Sequence, residues 1–162
     1  MSRLDSFIRR LQAQRTCLAY AVERVRHLDG VFLELGLGNG RTYDHLRELC
    51  PEREIFCFDR HNAAHPDCVP DIEHLILGDI RATLPIFLDY EPGRVVLIHA
   101  DFGSGHRDRD ACVAADVAAL LPPLLHSGGV VLADQALDRT GLDSLELPAD
   151  VPVGRYFMYA RH

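Results

Sequence analysis

The sequence contains no lysine; all seventeen of its basic residues are arginine. Chemistry that needs a lysine of the chain is excluded, including Schiff-base formation and the phosphate-binding lysine of a P-loop. The five cysteines, at 17, 50, 57, 68 and 112, are scattered and form no C-x-x-C pair. That argues against a disulfide framework or a structural zinc site and for a reduced, cytoplasmic setting. No apolar run approaches the ~20 residues of a membrane span, and the N-terminus lacks a signal-peptide core. Positive charge is not in excess either: the formal net charge is −7. The electrostatics therefore give no case for nucleic acid as a partner.

What is present suits one α/β domain over residues 1–162. A chain of 162 residues buries roughly 70% of its unfolded surface, and 48% hydrophobic content is ordinary for a globular protein. Its organising stretch is 31–44, VFLELGLGNGRTYD. An apolar run, Val31 to Leu35, breaks into Gly36, Gly38 and Gly40, and a helix-compatible segment follows. Strand, glycine turn and open helix N-terminus let a ligand approach bare backbone and favour an anionic group on it. A dinucleotide fingerprint, G-x-G-x-x-G, would need glycine at 41, where this chain has Arg41. Glu34, two residues before the first glycine, would also repel a pyrophosphate. Both features count against a nicotinamide-dependent oxidoreductase.

The pattern E-x-G-x-G-x-G instead resembles the first motif of class I S-adenosylmethionine-dependent methyltransferases. Their cofactor carries a carboxylate, an amine and a sulfonium, so a nearby acid is tolerable.

The remaining chain follows the same alternation. Leu4, Ile8, Leu11, Leu18, Val22, Val25 and Leu28 fall at near-helical spacing with six arginines mostly between them. This predicts a helix within 1–28, before the core of 31–162. Packing on the flank of the sheet is the expected role; covering the cofactor or the substrate mouth is the alternative. The run 55–58 predicts a second strand ending in Asp59, 19 residues past Gly40, near the ~20-residue offset of a ribose-binding acid. A carboxylate in that role has no partner in the empty protein, so its removal is expected to leave apo stability nearly unchanged. The segment 60–70, with His61, His65, Asp67 and Cys68, matches no standard metal spacing and predicts an irregular loop beside the adenosine. Strands are predicted at 75–77, 95–98 and 130–133, and helices at 81–90, with Asp79 as N-cap, and at about 107–120. Two closing strands are predicted at 145–147 and 155–161. Apolar strands alternating with helices imply a doubly wound, mostly parallel sheet of seven strands in an α/β/α sandwich.

The resemblance covers nearly the whole chain. It implies a cofactor site of Glu34, Gly36, Gly38, Asn39, Gly40, Thr42, Asp59, Arg60, Asp79, Ile80 and Asp101. Asp79 would meet the adenine amino group and Ile80 the ring. The pair IHAD…GGVVLADQ is similar to the catechol and caffeoyl-CoA type of O-methyltransferase. That type holds a divalent metal with an aspartate where this chain has His99 and with Asp-Asn where it has Asp134-Gln135. Histidine is a poor ligand for a hard ion, so no metal is expected; Mn, Fe or Zn is the alternative. Asp101 and His106 are the candidate bases, if the acceptor must lose a proton. No substrate domain is inserted, which leaves the N-terminal helix, the loop 102–106 and a partner copy in a homo-oligomer to shape the acceptor site. The expected activity is methyl transfer to a small molecule, with a non-catalytic cofactor-binding module as the alternative.

Overall fold

The computed structural model describes residues 2–103, 106–137 and 140–162, with Arg107 described by its backbone alone. Seven strands form one sheet: β1 (Val31–Leu35), β2 (Ile55–Asp59), β3 (Leu75–Leu77), β4 (Val95–Ala100), β5 (Leu125–Ala133), β6 (Asp143–Ser144) and β7 (Phe157–Ala160). Their order is β3-β2-β1-β4-β5-β7-β6. The first five are parallel, and β7 runs antiparallel to both β5 and β6. The order reverses between β1 and β4, where a crevice opens at the C-terminal strand ends. This is the doubly wound α/β sheet that the sequence implies.

Residues β1 and β4 are buried along their whole length, as parallel strands covered on both faces must be. Helices α1 (Arg3–Val25) and α2 (Arg41–Leu49) pack on one face through Cys17, Leu18, Val22 and Leu46 against Phe32, Leu97 and Leu132. Helices α3 (Ile80–Tyr90), α4 (Arg107–Ala118) and α5 (Leu121–Leu124) cover the other through Leu84, Val117 and Leu124 against Leu33, Ile98 and Val131. Ser2 and Asp5 close a reciprocal capping box at the start of α1, which supports its first, exposed turn.

Two sequence expectations change. The closing strand foreseen at 145–147 is instead β6 at Asp143–Ser144. The Leu145 N–H still donates to the Met158 carbonyl at 2.8 Å, after which the chain leaves the sheet. Leu145 and Leu147 pack against the core, so their alternation records packing and not strand pairing. Likewise β5 begins at Leu125, before the Gly128-Gly129 pair, which sits inside a break in register against β4. Two glycines there absorb an irregularity rather than start the strand.

Candidate active site

A cavity of about 420 Å³ lies at the C-terminal ends of β1, β2 and β4. The glycine turn contributes Gly36, Gly38, Asn39 and Thr42; β2 and its exit contribute Asp59 and Arg60; Ile80 and Asp101 complete the wall. Four expected site residues stand elsewhere. Glu34 is fully buried beneath the turn. Gly40 caps α2 in a left-handed conformation, and a Cβ there would lie 2.7 Å from the Cys68 Cβ. The loop 60–70 packs tightly on the turn at that point, and the His65 N–H donates to the Asn39 carbonyl at 3.0 Å. Asp79 caps α3 and pairs through both oxygens with the Arg81 side chain, at 2.9 and 2.6 Å; those bonds hold its carboxyl well below the usual range. His106 is exposed at the N-cap of α4 and lines neither this cavity nor its neighbour. Ser104 and Gly105, within the loop 102–106, lie outside the described residues.

Asp59 has partners within the protein, contrary to expectation. Its carboxylate accepts from the Gly38 N–H at 2.8 Å and the Arg60 N–H at 2.6 Å. The strand-two acid therefore also ties down the middle of the glycine turn. Such a bond follows from β2 lying beside β1 in parallel register, a proximity that sequence separation conceals.

Helix α1 closes one side of the cavity with Phe7, Arg10, Leu11 and Gln14. It both packs on the sheet and covers the cleft, so the two roles coexist. Arg10 donates to both Asp101 oxygens at 2.6 and 2.7 Å, and Gln14 donates to Asp101 at 2.8 Å and to the Tyr156 hydroxyl at 3.1 Å. Below them runs a buried polar chain. Glu34 and His99 are register partners on β1 and β4, so their side chains point to the same face. The His99 Nδ1–H donates to Glu34 at 2.8 Å, Nε2 lies 2.6 Å from the Tyr156 hydroxyl, and the Thr42 hydroxyl donates to Glu34. Burial alone would lower the His99 pKa, but Glu34 beside it raises the value overall. Burial also pushes the Tyr156 phenol well above its ordinary range. With both ring nitrogens engaged, His99 has no lone pair to offer a metal, and the described residues contain no group of three metal-ligating side chains.

A second cavity, of about 630 Å³, shares Arg10, Gly103 and Asp110 with the first and is also lined by Asp134, Gln135, Arg155 and Phe157. Burial, followed by the nearby Asp101 charge, pushes the Asp134 carboxyl up to about 6. The folded state thus disfavours its ionisation. The stability it contributes is present below the unfolded value near 4 and is lost as pH rises through about 6. Asp134→Asn should therefore stabilise the protein by about 1–2 kcal/mol at pH 7.5, raising Tm by about 2–6 °C, and should gain nothing at pH 4. Melting curves at the two pH values check this.

These features meet in comparison with other proteins. A family model described as S-adenosyl-L-methionine methyltransferase matches residues 1–161. The chain belongs to that family. The S-adenosyl-L-methionine methyl transferase of Silicibacter pomeroyi DSS-3 is 44% identical to this methyltransferase, covers 100% of it with 99% of its own chain, and superposes with a TM-score of 0.95. A caffeoyl-CoA O-methyltransferase-like protein of Staphylococcus aureus shares the fold alone, at 12% identity and TM-score 0.57 over 90% of this chain and 82% of its own. The TehB-like methyltransferase of Corynebacterium glutamicum does likewise, at 14% identity and TM-score 0.59 over 90% and 87%. No functionally curated protein matches the chain. The cofactor of this methyltransferase is S-adenosylmethionine, and the first cavity fits it. The cleft offers bare backbone at Gly38, where an added Cβ would meet nothing within 4 Å, and an acid, Asp59, at the tip of β2. The sequence contained the turn and that acid. It gave no sign that α1 would supply Arg10 and Gln14, because amphipathic spacing reports a buried face and not what lies beyond it.

Proposed function

We propose that this methyltransferase acts on a small molecule that enters the second cavity and yields a proton to Asp134. The reading is carried by one observation: a half-buried carboxyl, raised to about 6, lines a cavity that shares its wall with the cofactor cleft. Bound S-adenosylmethionine supplies an activated methyl group, and the protein's share is position and electrostatics. Asp134, ionised above pH 6, accepts the proton of an attacking hydroxyl or amine. Phe157 offers an apolar surface, and Gln135 and Arg155 offer polar contacts for orienting an acceptor. Of the two sequence candidates for the base, Asp101 lines the cofactor cleft, whereas His106 lines neither cavity. The reading uses no metal, so turnover should survive EDTA. Loss restored by Mn²⁺ or Zn²⁺ would instead make ligands of Asp134 and Gln135.

Radiolabelled methyl transfer to a panel of small phenols, catechols and amines tests the reading. Asp134→Asn should lose at least about 100-fold in turnover with S-adenosylhomocysteine affinity unchanged, in line with general-base contributions. Wild-type turnover should fall below pH 6. A fully active variant, or methylation confined to macromolecules, would sink the proposal.

In the cleft, Asp59 is proposed to accept hydrogen bonds from the ribose hydroxyls while it holds Gly38. Asp59→Ala should then weaken S-adenosylhomocysteine by roughly 10–100-fold. It should also lower the apo Tm by about 2–6 °C, because the Gly38 and Arg60 amides lose a charged acceptor. Asp59→Asn should show smaller changes in both, measured by calorimetric titration and melting. The five unpaired cysteines support a cytoplasmic setting. Exposed Leu4 and Ile8 on α1 are consistent with self-association, which is proposed here as a homo-oligomer. No helix among the described residues is long and apolar enough to cross a membrane, and the net charge of −7 favours no nucleic acid.

A further inference from the structure

The cofactor cleft has two chemically distinct ends. At one stand Asp59, Gly78 and Ile80, suited to a ribose diol and a flat ring; at the other stand Arg10, Gln14 and Asp101. We propose that Arg10 and Asp101 form a clamp for the amino-acid arm of the cofactor, with Arg10 on its carboxylate and Asp101 on its ammonium. The Arg10 Nη2 group lies against both Asp101 oxygens at 2.6 and 2.7 Å, a charge-assisted contact that leaves the rest of the planar guanidinium fork to grip an incoming carboxylate. A zwitterion can enter such a pair without stranding a charge. The guanidinium swings from one carboxylate to another, Asp101 stays in place to accept the incoming ammonium, and one ion pair becomes two. Asp101 also keeps the 2.8 Å bond from Gln14, itself held by Tyr156 and, beneath that, by His99 and Glu34. The acid is therefore fixed from below. The Arg10 side chain, 37% exposed against 16% for Asp101, is the partner able to move. Helix α1 thus completes the cofactor site, although its sequence reads as a packing helix.

The inference rests on the adenosine end lying at Asp59, and three probes separate the two ideas. S-adenosylhomocysteine carries the whole arm, its decarboxylated analogue carries only the amine, and 5′-methylthioadenosine carries neither group. Calorimetry on the full chain should show Arg10→Ala losing roughly 10–100-fold for S-adenosylhomocysteine, the range expected for a charged hydrogen-bonded pair. Less than about 3-fold should be lost for the other two. Arg10→Lys, which keeps the charge but not the fork, should recover part of the loss and guards against a folding defect. Arg41→Ala and Arg60→Ala should not reproduce the pattern. Equal losses for all three probes, or none, in variants that melt normally would overturn the clamp, as would the selective loss appearing at Arg41 instead. If the wild type bound 5′-methylthioadenosine and S-adenosylhomocysteine equally, the clamp would fail while the adenosine site stood. If it bound neither, both ideas would fall before any substitution was made.

Discussion

Glu34→Ala is expected to destabilise the protein by about 3–5 kcal/mol, a fall in Tm of about 6–20 °C for a chain of this size. Glu34 and His99 are both completely buried, and their attraction in the interior offsets the loss of hydration. Removing the carboxylate leaves an imidazole surrounded by core with no acid in contact to balance its charge, and it leaves the Thr42 hydroxyl without its acceptor. A double replacement, Glu34→Leu with His99→Phe, should recover part of the loss, because an apolar pair of similar volume avoids the desolvation cost, while the Thr42 and Tyr156 hydroxyls stay without these partners. The cost should depend on pH. The folded His99 pKa is raised, so the pair's stabilisation is fully present below the unfolded value near 6.5 and fades as pH rises through the folded value. The single-variant penalty should therefore shrink in alkaline buffer. A penalty below about 1 kcal/mol at pH 6, measured by denaturant titration, would show that the pair contributes no such charge coupling.

That pair also marks the boundary of what the sequence can disclose. The strand–turn–helix at 31–49 was legible because apolar runs, glycine spacing and helix periodicity are local properties. The alternation of apolar strands and helices then fixed a doubly wound sheet, whose observed order agrees. The pairing of Glu34 with His99 depends instead on the register of β1 against β4, which no local pattern reports. Read alone, Glu34 looked like a cofactor-facing acid and His99 like a replaced metal ligand. The Gly38–Asp59 bond and the reach of Arg10 to Asp101 were hidden for the same reason: each joins segments that come together only in the folded sheet. Asp134 was visible only as part of a metal-site resemblance. Its raised pKa comes from burial beside Asp101, a property of the fold that residue types do not encode.

Gly38→Val and Gly36→Val should fail in opposite ways, although the two glycines are interchangeable in the motif. At Gly36 an added Cβ would lie 2.2 Å from the Asp101 carbonyl oxygen, at φ +96°. No side-chain rotation relieves a clash with backbone, so β1 and β4 would have to separate at the mouth of the cleft. That change should cost at least about 4 kcal/mol and abolish the cooperative fold or drop its Tm by more than about 8 °C. At Gly38 the added Cβ meets nothing within 4 Å, and the residue sits at φ +53°, inside the left-handed region. The penalty there is conformational, about 1–3 kcal/mol for a β-branched residue, and the variant should remain folded with its Asp59 bond in place. Its methyl groups would instead occupy the cleft that Gly38 lines, and S-adenosylhomocysteine should weaken by at least about 100-fold, or 2.7 kcal/mol. Gly38→Ala should fall between, with a smaller obstruction and less strain. Titration with S-adenosylhomocysteine beside apo melting curves for all three variants makes the comparison. A folded Gly38→Val protein with wild-type affinity would remove the turn from the cofactor site, because a backbone contact that tolerates an isopropyl group is not a contact with the ligand.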